Sequence, residues 1–433
     1  MANPQLTPTL IIVMPGRVVA AFLVVLSAWI CGCRGTVNLG STTDQGTDQD
    51  SRALESVWAT HYDDVSNTSQ LQTVLMAGAS VNVSDALKLS GLFLPGGTDP
   101  DAQLMFGQLR TSADWIHAGR QLLLFRYNGD SSRLLSATQV PIPAGEVAGS
   151  IAVVPALKAV YMISYVFGGY FDTPGHILLF HYNQDGTVTG PIDVTPALDR
   201  YSVAVFSDLA YGDKTHLLYG TSYVFAHTQP GPLPSFATVT GNGVPSSFAS
   251  FKAGGQPAPV LTSANFCLIS GGAQPLAYTH DGSFQVSYNS EQNALTVTSI
   301  TSEGVAGFAA RSEQFGTDCS GPIVRGAALD EPHNALYAVL QTLDPKMSTP
   351  VSAVLARFTF VPTTGAISSA PVQQIPIGAI DRIYIPLNGS RIFDLSNSAS
   401  LIMYTLTDEG PQNPQPVGLA FTPDLLFGDV PRL

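Results

Sequence analysis

Apolar positions after residue 50 come in short runs that alternate with polar residues and end at polar turns. His176–Gly190, HILLFHYNQDGTVTG, shows the unit: an apolar run, a turn closed by Gly186, then a second extended run. A period of two followed by a Gly-closed turn predicts a β-hairpin. The hairpin recurs as QLLLFRYNGD (Gln121–Asp130), SFATVTGNG (Ser235–Gly243), LTVTSITSEG (Leu295–Gly304), VLARFTFVPTTG (Val354–Gly365) and LIMYTLTDEG (Leu401–Gly410). With Phe125, Phe180, Ala237, Thr298, Phe358 and Tyr404 as equivalent positions, the spacings are 55, 57, 61, 60 and 46.

Upstream of most copies lies another strand-like run, such as AVYMISYV (Ala159–Val166) or ALYAVLQTL (Ala335–Leu343). Three to four strands per period of about 56 residues describe one blade of a β-propeller. The chain from Ser51 onward has room for about seven four-stranded blades, with six or eight as the neighbouring solutions. The fold class predicted is therefore all-β. No long window after the N-terminal region has a clean helical period, and the best helical candidate is Val81–Phe93, with Ser84 or Asp85 as its cap. For ring closure, Pro416–Gly428 reads as the inner half of a blade, and Ser56–Tyr62 (SVWATHY) as the outer strand that completes it.

Composition fits one large β domain. Of 433 residues 45% are hydrophobic and 12% charged, and 40 Gly with 31 Pro supply many turns. The net charge of -13 comes from scattered acids, 32 against 19 Lys and Arg. Nucleic-acid binding needs clustered cations, so nucleic acid is excluded as a partner.

The N-terminus carries an address. Val18–Ile30 (VVAAFLVVLSAWI) is an apolar run of 13 residues, too short to span a bilayer as a helix and suited to a signal-peptide core. Arg17 precedes it, and no basic residue lies before that, so Met14 is the expected true start. Ile30-Cys31-Gly32-Cys33 resembles a bacterial lipobox. That resemblance implies a signal peptide over residues 1–32, cleavage before Cys33, and a lipid on its sulfur. A flexible tether follows over 33–55, rich in Gly, Thr, Asp and Gln, with a reach on the order of 25 Å. A single propeller domain then occupies 56–433. The implied location is the bacterial cell envelope, lipid-anchored, with Arg34 favouring the outer membrane over the inner. Cys267 and Cys319 remain as an even pair in an oxidising compartment. A disulfide between them would close a loop of 52 residues and stabilise by ~4 kcal/mol.

Leu336–Ser369 and Gly389–Gly410 resemble the repeat of the lactonase-like seven-bladed propellers, also called the YVTN group. The resemblance covers roughly residues 112–410, and its motifs specify hairpins. It implies a seven-bladed ring, and as activity either hydrolysis or isomerisation of a small lactone or sugar acid, or no catalysis at all. The family's catalytic set does not map onto any local pattern in this chain.

Candidate chemistry is correspondingly sparse. A lactonase needs a base and an oxyanion stabiliser on the channel loops. Arg200, Arg325 and Arg382 precede or start inner strands, and His227 and His280 are the histidines left for a channel or rim once those inside hairpins are assigned to the scaffold. His117 and the aromatic loop around Tyr165, Phe167, Tyr170 and Phe171 are further rim candidates. No nucleophile elbow, P-loop or dinucleotide fingerprint is present, and no cofactor or metal is expected. The predicted role is a binding or interaction module at the envelope, anchored in the membrane by its lipid, with an envelope protein or glycan as partner. The competing role is a lactone hydrolase or related isomerase.

Overall fold

The computed structural model describes residues 55–77, 80–111, 120–128, 134–143, 146–166, 176–195, 204–226, 229–246, 249–250, 252–254, 273–289, 292–316, 321–344, 349–378, 382–385, 391–395 and 401–428. These residues form seven sheets, each a blade, and all but one are built from consecutive strands. Blade 1, shared by both ends of the chain, has the order Leu425–Gly428, Glu55–Asp63, Thr68–Ala77, with Ser80–Val83 and Leu87–Ser90 side by side at its rim. Blade 2 is Leu92–Asp99, Leu104–Arg110, Arg120–Tyr127 and Leu134–Pro141. Blade 3 is Glu146–Val154, Ala159–Val166, His176–Tyr182 and Val188–Asp193, and blade 4 is Ala204–Gly212, Leu217–Ala226, Gln229–Thr238 and Ala249–Ser250. Blade 5 is Ala273–Tyr278, Phe284–Asn289, Ala294–Ile300 and Val305–Arg311, with Lys252–Gly254 added parallel to the last. Blade 6 is Ile323–Asp330, Ala335–Leu343, Pro350–Val361 and Gln373–Ile377, and blade 7 is Arg382–Tyr384, Arg391–Leu395, Leu401–Thr407 and Gly410–Val417.

First strands touch first strands, as Leu425–Gly428 does Leu92–Asp99, and Ile323–Asp330 does both Ala273–Tyr278 and Arg382–Tyr384. They ring the central channel. One end of the ring, the crossover face, carries the links between blades and the turns between second and third strands. The opposite end, the hairpin face, carries the turns between first and second and between third and fourth strands.

The sequence repeat maps onto this architecture with its register intact. All six aligned positions lie on third strands, and each faces the second residue of its blade's second strand: Phe125 opposite Met105, Phe180 opposite Val160, Ala237 opposite Leu218, Thr298 opposite Gln285, Phe358 opposite Leu336, and Tyr404 opposite Ile392. The turn glycines Gly186, Gly243, Gly304, Gly365 and Gly410 all have positive φ, between 68° and 110°, a conformation that side chains disfavour. That steric requirement is why glycine keeps recurring there.

Packing between blades is aromatic. The third residue of the second strand is Phe106, Tyr161, Tyr219, Tyr337 or Phe393 in five blades, and each is almost wholly buried. Each such ring contributes on the order of 2–3 kcal/mol of burial. Two of the polar tips are satisfied across the seams: the Tyr219 hydroxyl donates to the Gly282 carbonyl of the next blade at 2.9 Å, and the Tyr161 hydroxyl to that of Gly243. Burial pushes both phenols well above the ordinary tyrosine range.

Two expectations are corrected. Val81–Phe93 is not a helix: it holds Ser80–Val83, Leu87–Ser90 and the start of Leu92–Asp99. Pairing of its first two runs with Thr68–Ala77 overrides the local capping signal. Ser56–Tyr62 is not an outer strand either. It lies second from the channel, hydrogen-bonded to the C-terminal strand through Val57↔Gly428 to Thr60↔Leu425. The N-terminal stretch thus supplies every strand of blade 1 but the innermost, and Pro416 and Val417 belong to the rim of blade 7.

Candidate functional site

The strands that line the channel are irregular in a shared way. Where the first strand is long enough to pair along its length, in blades 2 to 6, its register slips once against the second strand. The inserted residues are Gly96, Gly149-Ser150, Ser207-Asp208, Leu276 and Arg325. A β-bulge bends the strand and re-aims the local side chain, and bulges concentrate next to functional sites. At Gly96 the reason for glycine is plain, because a Cβ would lie 2.6 Å from the Ile151 side chain of blade 3.

Arg325 is the cation among these insertions. It is partly exposed and stands near the start of the blade 6 inner strand, towards the crossover face. Its Nε donates to Oε1 of Gln341, a buried residue of the adjacent second strand. Across the seam, Tyr288 of blade 5 is buried, and its hydroxyl donates to Asn293 Oδ1 at 2.9 Å. Burial pushes the Tyr288 phenol up to about 12, against the opposing pull of the Val324 N–H and the Arg325 charge. The result is a guanidinium at the crossover end of the channel, held by a buried amide and close enough for its charge to act on the Tyr288 phenol, and a guanidinium suits an anionic ligand. Gln341 was available as a signal, being the one amide in the apolar run ALYAVLQTL. Tyr288 and Asn293 were not, since they join the set only across a blade seam.

Among the described candidates, His280 does not join Arg325. His280 lies on the opposite, hairpin face, in the turn between the first two strands of blade 5, and its backbone N–H donates to Glu331 Oε1 of blade 6 at 2.5 Å. The backbone of Arg382 begins the innermost strand of blade 7. Cys33, His117, Arg200, His227, Cys267, Cys319 and residues 167–175 lie outside the described residues.

Other described histidines serve the scaffold. His333 Nδ1 meets Asp330 at 2.8 Å, His176 Nδ1 meets Asp193 at 2.8 Å, and His216 occupies a left-handed turn position just before a second strand, as Gln103, Lys158 and Asn334 do. Asp99 is fully buried and bound by Lys158 Nζ at 2.6 Å and the Tyr182 hydroxyl at 2.7 Å, so it bolts blade 2 to blade 3.

The hairpin face gives a pH prediction. Burial raises the Glu331 carboxyl above its usual range, with the His280 N–H and the His280 charge acting the other way. A folded-state value above the unfolded one means stability that is full below the unfolded value and lost as pH rises through the folded value. Glu331→Gln keeps an acceptor for His280 and removes the titration. Its stability relative to wild type is expected to rise with pH between those two values, by at most about 1.4 kcal/mol per pH unit. Urea denaturation at a series of pH values measures it; a gap that is flat with pH contradicts the assignment.

No protein-family model and no curated protein sequence matches this chain. Solved structures do. The periplasmic gluconolactonase PpgL of Pseudomonas aeruginosa superposes with a TM-score of 0.57 at 12% identity, over 87% of this chain and 99% of that one. A protein from Lactobacillus plantarum gives 0.56 at 13%, again over 87% and 99%. A functionally unknown protein from Desulfotomaculum acetoxidans gives 0.52 at 9% with the same coverage. With identities this low, what is shared is architecture: the chain has the fold of a seven-bladed β-propeller.

Proposed function

We propose that the protein is an exported, lipid-anchored propeller that binds a small anionic, hydroxyl-bearing ligand at the crossover end of its channel. The observation that carries this reading is Arg325, placed by a bulge in an innermost strand and held by Gln341, with its charge acting on the Tyr288 phenol across the seam. A guanidinium fixed in that way offers paired donors to a carboxylate, and the neighbouring amides and phenol suit hydroxyl groups. Residues 1–32 would direct export and Cys33 would carry the lipid, leaving the propeller tethered at the bacterial envelope. An envelope glycan or an envelope protein bearing such a group is then the natural partner.

Gluconate is a suitable probe, and calorimetric titration of the full chain in mild detergent is the test. Binding is expected, and Arg325→Ala should weaken it by about 10- to 100-fold, the range for a lost hydrogen bond to a charged group. Equal affinity in the two proteins overturns the assignment of Arg325.

The name of the gluconolactonase neighbour supports a second reading, lactone hydrolysis at the same end of the channel. Glucono-δ-lactone separates the two. Ring opening at the spontaneous rate with protein present supports a binder, and an acceleration that Arg325→Ala removes supports the enzyme.

A further inference from the structure

Both ends of the described chain lie on one face of the ring. Glu55 opens the second strand of blade 1 and Gly428 closes its first, and the two strands pair from Val57↔Gly428 to Thr60↔Leu425. The ends therefore stand where the other blades turn from first strand to second, which is the hairpin face. Arg325 stands at the opposite end, near the start of the blade 6 inner strand. Chain entry and candidate site are separated by the height of a blade: the nine-residue strand Glu55–Asp63 spans about 30 Å.

Residues 33–54 would join the hairpin face to a lipid on Cys33. Their composition predicts a random coil with an r.m.s. reach on the order of 25 Å. A coil of that reach bridges a bilayer and the hairpin face unstretched. To lay the crossover face on the same bilayer it would have to climb the whole height of the ring and also clear its rim, well beyond its r.m.s. length and at a cost in conformational entropy. Charge does not reverse this preference. The exposed acids of the third-to-fourth turns on the hairpin face, Asp185, Glu303, Asp408 and Glu409, repel anionic lipid. That repulsion is screened over about 8 Å at physiological salt, well within the reach of the coil.

We propose that the protein hangs from its membrane by the hairpin face and presents the crossover face, with Arg325, away from it, so that its ligand is a water-borne carboxylate and not a headgroup of the anchoring bilayer. This rests on the lipid anchor and the Arg325 site proposed above. The test is energy transfer from a donor dye to acceptor-labelled headgroups in phosphatidylcholine vesicles carrying the lipid-bearing protein. The dye is attached through an azide-bearing amino acid introduced at one exposed position at a time, Gln184 or Thr363 on the hairpin face and Val65 or Glu313 on the crossover face. Transfer is expected to be several-fold stronger from positions 184 and 363 than from 65 and 313. Equal transfer from the two faces, or stronger transfer from the crossover face, overturns the proposal. Cys33→Ala should lose transfer at all four positions, and transfer that persists without the lipid contradicts the anchor itself. Gluconate should bind the vesicle-held protein as tightly as the protein in detergent. Affinity lost only on the vesicle overturns the orientation, whereas affinity absent in both is the failure of the Arg325 site.

Discussion

Trp58→Ala is expected to destabilise the protein by about 3–5 kcal/mol, the range for removing a large aromatic from a packed core. Trp58 is wholly buried on the second strand of blade 1. Its ring lies 5.7 Å from Phe427 of the C-terminal strand, in a stacked arrangement, and 5.2 Å from Tyr127 of blade 2, edge to face. Phe93, Leu71, Met105 and Leu123 belong to the same cluster. One side chain therefore joins the two parts of blade 1 and packs that blade against its neighbour, and truncation opens a cavity where neither neighbour can collapse without leaving its strand. Guanidinium denaturation measures the loss, with Trp58→Phe as the control that keeps most of the apolar contact. A loss under about 1 kcal/mol would show that the ring does not close through this residue.

The second large effect concerns the address. Cys33→Ala is expected to abolish incorporation of a palmitate analogue and to move the protein from the membrane fraction to the soluble one. Cys31→Ala, two residues upstream, should label as wild type does. The difference would be all-or-none because, on the proposed reading, the thiol at position 33 is the acyl acceptor and a single lipid-modified residue carries the anchor. Equal labelling of wild type and Cys33→Ala ends the lipoprotein reading.

Most of the fold was legible because it is written by turns. A glycine forced to positive φ at Gly186, Gly243, Gly304, Gly365 and Gly410 leaves a mark that no packing context erases, and register follows from counting back from it. Where no such mark exists, legibility fails. Ser56–Tyr62 is apolar on both faces because both faces of a blade's second strand are covered, so its pattern does not tell an inner from an outer place. Val81–Phe93 failed for the opposite reason: Ser84 and Asp85 offer a helical start, and the edge of Thr68–Ala77 offers pairing partners the local sequence does not contain. The site was half legible. Arg325 stood out as a cation at the start of an apolar run, and Gln341 as an amide inside one. Their conjunction with Tyr288 and Asn293 depends on two blades meeting, and the separation of Arg325 from His280 depends on knowing which end of the ring each turn occupies.

The way blade 1 is shared has a consequence for biogenesis. The N–H of Tyr62 is held by the Asp424 carboxylate across 362 residues of chain, and the strand that follows Asp424 is made after every other described strand. Throughout synthesis Glu55–Asp63 waits with one edge open while six blades assemble behind it. Contacts of such long range are slow to form, and an open apolar edge invites wrong partners in the meantime. Premature termination anywhere before Leu425 would therefore yield a ring that cannot shut, and such fragments should be found with chaperones and proteases rather than as smaller folded propellers.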